Sequence, residues 1–99
     1  MTVVETVRFK IKPDLEADEF LVQNFYVESE YMALRPGFRG RQTTRDADGE
    51  FLIIVQWATP EDAEATMGGF YGAPETQKFL AFVDPASVSS GSYTVIDRS

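Results

Sequence analysis

The sequence contains no cysteine and no histidine. Without cysteine there are no disulfides, no thiolate nucleophile and no Cys-ligated metal. Without histidine there is no imidazole for a catalytic triad and no His-ligated haem or zinc. Basic residues are scarce: Lys and Arg number 9 against 16 Asp and Glu, for a net charge of −7. Phosphate contacts need a basic surface, so nucleic acid and anionic membrane are excluded as main partners. Long hydrophobic runs are also missing. The longest purely apolar stretches, Phe51–Val55 and Phe79–Val83, fall far short of the roughly 20 residues a bilayer span takes. No signal-peptide pattern opens the chain, and the expectation is a soluble cytoplasmic protein.

What is present suits one domain. Ninety-nine residues, 43% hydrophobic and 13% aromatic, are enough for a single modest core over residues 1–99 and too few for two. Val3 to Ile11 alternates with period two, which predicts a half-buried strand. Val3, Val7, Phe9 and Ile11 share one face with Glu5. Pro13 and Asp14 break it. A helix is expected from about Glu16 to Leu34, ending before Arg35-Pro36-Gly37. On a helical wheel Phe20, Val27, Tyr31 and Leu34 form one apolar arc, and Leu21, Phe25 and Met32 a second. Between them lie Asn24, Glu28 and Arg35. Polar residues within an apolar face carry more information than apolar ones.

Phe38 to Asp46 and Phe51 to Trp57 read as a hairpin turning at Asp46-Ala47-Asp48-Gly49. With Arg45 opposite Glu50, residues Phe38, Gly40, Gln42 and Thr44 share a side with Phe51, Ile53, Val55 and Trp57. Arg39, Arg41 and Thr43 then lie on the other side, beside Leu52 and Ile54. Thr59-Pro60-Glu61-Asp62 opens a second helix with Thr59 as N-cap and Pro60 in the first helical position. Gly68-Gly69 is expected to end it. A short helix runs from Ala73-Pro74-Glu75 to about Phe82, and Ser90 to Asp97 is the last strand.

The order β-α-β-β-α-β, with right-handed crossovers, puts both long helices on one face of a four-stranded antiparallel sheet. This is an α+β, ferredoxin-like arrangement. Its third strand is apolar on both faces, so Leu52 and Ile54 need a cover. A second copy of the sheet in a twofold homodimer is the simplest one.

The residues that carry this layout also resemble those of a known family. They are Val7-Arg8-Phe9-Lys10-Ile11 with Pro13, Arg35-Pro36-Gly37-Phe38, the Asp48-Gly49 turn, and Phe51–Trp57 followed by Thr59-Pro60-Glu61-Asp62. Over nearly its whole length the chain resembles the antibiotic biosynthesis monooxygenase-like family of the dimeric α+β barrel superfamily. The resemblance implies a homodimeric barrel without metal or cofactor. It also implies oxygenation of a small apolar or aromatic, phenolic or polyketide-like molecule held between helices and sheet. Haem-degrading relatives use an Asn, a Trp and a His where this chain has Val7, Thr66 and a residue near Phe82, so haem chemistry is not implied. Fold alone does not choose among the superfamily's chemistries.

Asn24 is the first site candidate: the resemblance implies an amide that stabilises a phenolate or enolate as it reacts with O2. The alternative is an amide satisfied by backbone or solvent. Glu28, one turn on, becomes a general base if buried, or else an ordinary carboxylate paired with an arginine. Trp57, Tyr31 and Gln42 are expected to shape the pocket, against core packing for the two aromatics and a partner-seeking amide for Gln42. Glu5 and Thr44 lie close to strand ends, where water reaches them. Arg39, Arg41 and Arg45 share a strand face, as an anion site or as partners of nearby acids. Phe70 and Tyr71, among glycines, suit either a lid or a dimer contact. Two other functions stay open: a non-catalytic ligand-binding or interaction module, and a metal-free isomerase with Glu28 as base.

Overall fold

A computed structural model describes residues 1–99. Strand β1 (Val3–Phe9) leads to helix α1 (Ala17–Glu30), then to the hairpin β2 (Phe38–Arg45) and β3 (Phe51–Trp57). Helices α2 (Pro60–Phe70) and α3 (Gln77–Phe82) precede strand β4 (Ser89–Thr94). The strands form one antiparallel sheet in the order β2-β3-β1-β4. This is the expected α+β ferredoxin-like fold.

Period-two alternation builds the core. Phe51, Ile53, Val55 and Trp57 of β3 are buried, as are Val3 and Phe9 of β1. On this face they meet Phe20 and Val27 of α1, Ala63 and Phe70 of α2, and Phe79 of α3. Phe9, Phe20, Phe51 and Phe79 form a knot of rings, with centroids 4.8 Å apart for Phe20 and Phe51 and 6.0 Å for Phe9 and Phe79. Tilted and edge-on pairs of this kind add to their area burial.

Boundaries differ from expectation where local chemistry overrides pattern. Helix α1 stops at Glu30, and a 3-10 turn at Met32–Leu34 replaces its last turn. Its buried stripe is Phe20, Asn24 and Val27, followed by Tyr31, at the i, i+4, i+7, i+11 spacing of one helix face. The second apolar arc divides: Met32 is buried, whereas Leu21 and Phe25 are exposed, Phe25 by 68%. Gly68-Gly69 does not end α2, which runs on to Phe70. It starts where expected, with the Thr59 hydroxyl accepting from the Asp62 amide at 3.1 Å.

The hairpin register is the main correction. Asp46 N–H donates to the Glu50 carbonyl at 2.9 Å, and Gly49 takes φ +85°. The loop is therefore Ala47-Asp48-Gly49, a turn closed by a glycine in the left-handed region. The Asp46 carboxylate accepts from the amides of Asp48 and Glu50. Arg45 consequently pairs with Phe51, not Glu50, and Thr43 and Arg41 lie opposite Ile53 and Val55. A slip of one residue moves every side chain to the other face. Arg41 and Thr43 thus face the helices, and Gln42 and Thr44 face away. A register shift between Phe38 and Gly40 restores Phe38 to the Trp57 side, where the two rings meet edge-on at 5.9 Å.

Candidate functional site

Between the sheet and helices α2 and α3 lies a cavity of about 540 Å³. Its floor is Val7 and Phe9 of β1 with Ile53 and Val55 of β3, and its walls include Met32, Phe70, Phe79 and Leu80. Twelve of the 16 lining residues are hydrophobic, and the two charged ones, Arg41 and Lys12, are both cations. A mostly apolar hollow of this size with a few polar groups has the features of a small-molecule site.

Arg41 is the centre of its polar chemistry. It projects from β2 onto the core face, and its side chain is only 2% exposed. Nη2 donates to Asn24 Oδ1 at 2.7 Å, and Nη1 lies 3.5 Å from Glu28 Oε1. Asn24 Nδ2 in turn donates to Thr43 Oγ1 at 3.0 Å. The guanidinium Nε is buried with no partner. Burial lowers the Arg41 pKa and the Glu28 carboxylate raises it, with burial the larger effect. A guanidinium this basic nevertheless keeps its charge. The result is a fixed cation beside an apolar hollow, a suitable counter-charge for an anion brought out of water.

The structure sorts the sequence candidates. Asn24, 8% exposed, and Glu28 converge on Arg41 and do not themselves line the cavity. Trp57 is fully buried and also lies outside the cavity lining. Its Nε1 donates to Glu5 Oε1 at 2.9 Å. Glu5 is thus held on the core face, and burial raises its pKa more than this bond lowers it. Tyr31 stands behind the cavity wall, edge-on to Phe70 at 5.8 Å and beneath the Arg35 guanidinium. Gln42, expected in the pocket, is exposed on the opposite face because of the register. Thr44 is there too, donating to the Leu52 carbonyl. Phe70 lines the cavity, and the 64% exposed Tyr71 lines its rim. The Gln77 amide holds that turn by donating to the Tyr71 and Ala73 carbonyls.

The expected register put Arg41, a candidate for an anion site, on the face away from the helices; the structure turns it into the cavity. The signal was present in the acceptor side chain of Asp46 three residues before Gly49, which together mark the shorter loop. No cluster of three or more acidic side chains is placed to hold a metal ion. No helix is long and apolar enough to cross a membrane.

The same α+β ferredoxin-like fold occurs in solved structures of other proteins. The structure is similar to that of SnoaB, a cofactor-independent oxygenase from Streptomyces nogalater, with 18% identity and a TM-score of 0.78 over 98% of this chain and 95% of that one. Rv0793 from Mycobacterium tuberculosis aligns over 100% of this chain and 99% of its own, with 15% identity and a TM-score of 0.71. A Nitrosomonas europaea protein provisionally described as an antibiotic biosynthesis monooxygenase aligns at 17% identity, TM-score 0.74, over 96% and 90% of the two chains. The chain shares the fold of these proteins. No family model matches the sequence, and no curated protein is significantly similar to it.

Proposed function

We propose that the protein acts as well as folds like the monooxygenase-like proteins. It binds a small aromatic molecule, phenolic or polyketide-like, between helices and sheet and oxygenates it without a cofactor. The observation that carries this reading is the apolar cavity of about 540 Å³ with Arg41 as its one buried charge. A deprotonated, electron-rich substrate is held with its oxyanion against the guanidinium, a group fixed before the reaction begins. The substrate anion gives one electron to O2, and the resulting radical pair combines to a peroxide. At a methylene carbon, loss of water then leaves a carbonyl, so that one oxygen atom enters the product and the other leaves as water. Asn24, Thr43 and Glu28 are positioning residues in this scheme, because they hold Arg41 and do not reach the hollow.

Oxygen uptake tests the reading. A panel of phenols and anthrones should include compounds that drive saturable O2 consumption with no added cofactor, and Arg41→Met should abolish it. No uptake across the panel counts against oxygenation. Binding without uptake would favour the second reading, a ligand-binding module that uses the same hollow and the same cation. An isomerase with Glu28 as base finds no support in the geometry, since that carboxylate is paired with Arg41.

The homodimer belongs to the same proposal. The helix-free face of the sheet presents Val4, Leu52 and Ile54, all half-buried, together with the ring of Tyr93. That ring lies over Gly91, where a Cβ would strike it. A second sheet laid on this face would cover the apolar surface.

A further inference from the structure

We propose that Lys12 is a specificity-determining residue at the mouth of the cavity, selecting substrates that carry a second acidic group, such as a carboxylate, away from the one that meets Arg41. The proposal rests on the binding reading above and narrows its substrate class. Acids outnumber bases 16 to 9 in the chain, yet the cavity is lined by two cations and no acid. The charge of the cavity wall is therefore opposite in sign to that of the chain as a whole. The two cations differ in setting. Arg41 is buried and already engaged by Asn24 and Glu28. Lys12 is exposed at the rim.

Lys12 is also held and free at once. Its N–H donates to the Phe82 carbonyl at 2.8 Å, and its carbonyl accepts from the Leu15 amide at 3.1 Å. These bonds fix its backbone beside the end of α3, where Val83 and Pro85 also line the cavity. Its ammonium pairs with none of the acids: the ion pairs of the chain are Arg8 with Glu50 and Arg41 with Glu28. A flexible, unpaired ammonium at the mouth of an apolar hollow can meet an anion that remains partly in water, at little desolvation cost. A ligand with an apolar body and an acidic group at each end therefore satisfies both cations. A ligand with one acidic group leaves Lys12 unused.

The probes are 6-hydroxy-2-naphthoate and its methyl ester, which differ in the one charge, titrated calorimetrically into the whole protein at neutral pH. The acid should bind about two- to fivefold more tightly than the ester, the range expected for a rim ion pair, and added salt should shrink the difference. Lys12→Met should bring the acid down to the ester's affinity and leave the ester unchanged. Lys10→Met, which alters an exposed lysine outside the cavity lining, should keep the preference. Equal binding of acid and ester, a preference that survives Lys12→Met, or no binding of the acid up to its solubility each overturns the proposal. The two readings fail separately. Selective binding without O2 uptake refutes oxygenation alone, whereas uptake with an uncharged phenol and no preference for the acid refutes the role of Lys12 alone.

Discussion

Replacing Asn24 with leucine tests whether the amide is a structural support for Arg41. The side chains are close in size, so the substitution chiefly removes hydrogen bonds. Two are lost: the 2.7 Å bond from Arg41 Nη2 and the 3.0 Å bond to Thr43 Oγ1. A bond to a charged group contributes about 1.5–3 kcal/mol and a neutral one about 1. The leucine side chain offsets about 1.5 kcal/mol of this, the lower end for burying a leucine, because the site is already occupied by the asparagine stem. The net loss should be about 1–3 kcal/mol, read from urea unfolding at fixed protein concentration. For a domain of this size it corresponds to roughly 5–20 °C in Tm. The loss should be specific to Arg41, whose Nε already lacks a partner. In a double-mutant cycle, Arg41→Met should cost less in the Asn24→Leu background than in the wild type, with a coupling of about 1.5–3 kcal/mol. An Asn24→Leu protein as stable as the wild type, with an additive cycle, would refute the reasoning and return Asn24 to the list of groups free to meet a ligand.

Glu5 should make stability depend on pH. Burial raises its carboxyl above the ordinary value of 4.5, so the folded state holds this proton more tightly than the unfolded chain. The contribution is present below that value and is lost as pH rises through the folded pKa. Glu5→Gln, which can still accept from Trp57, should therefore match the wild type in acid and exceed it in Tm at neutral pH; the same Tm difference at every pH would contradict this. Gly37→Ala should cost more than about 2 kcal/mol, because Gly37 has φ +78° and a Cβ there would run into the Asp62 carboxylate. Gly68→Ala, in α2 with open space around the added atom, should gain about 0.5–1 kcal/mol; urea titration of the two variants compares them directly. If a second copy covers the sheet, Ile54→Lys should sediment as a monomer where the wild type sediments as a dimer, and a monomeric wild type would remove that part of the proposal.

Much of the fold was legible because local rules and global architecture agree. Alternation along Val3–Phe9 and Phe51–Trp57, the cap at Thr59-Pro60 and the turn at Asp48-Gly49 each state a local preference that the tertiary structure keeps. Where they conflict, the tertiary structure prevails. Gly68 and Gly69 read as a helix stop, but α2 continues through them to bury Phe70 against Phe79 at 5.9 Å. Leu21 and Phe25 read as core-facing, yet α1 lies on its Phe20, Asn24 and Val27 stripe.

The site divides along the same line. The sequence by itself determined the element order, the one-faced aromatic core and the placement of a polar stripe, Asn24 and Glu28, on the long helix. It also excluded imidazole and thiol chemistry by composition. Only the tertiary structure decided which strand residue answers that stripe. The choice between Gln42 and Arg41 turns on one residue of hairpin register, set by the hydrogen bonds of Asp46 and the left-handed Gly49, and corrected again by the irregularity after Phe38. Because strand side chains alternate faces, that single step moves a neutral amide out to solvent and a guanidinium into the hollow. The sign of charge available to a ligand is therefore a property of the register.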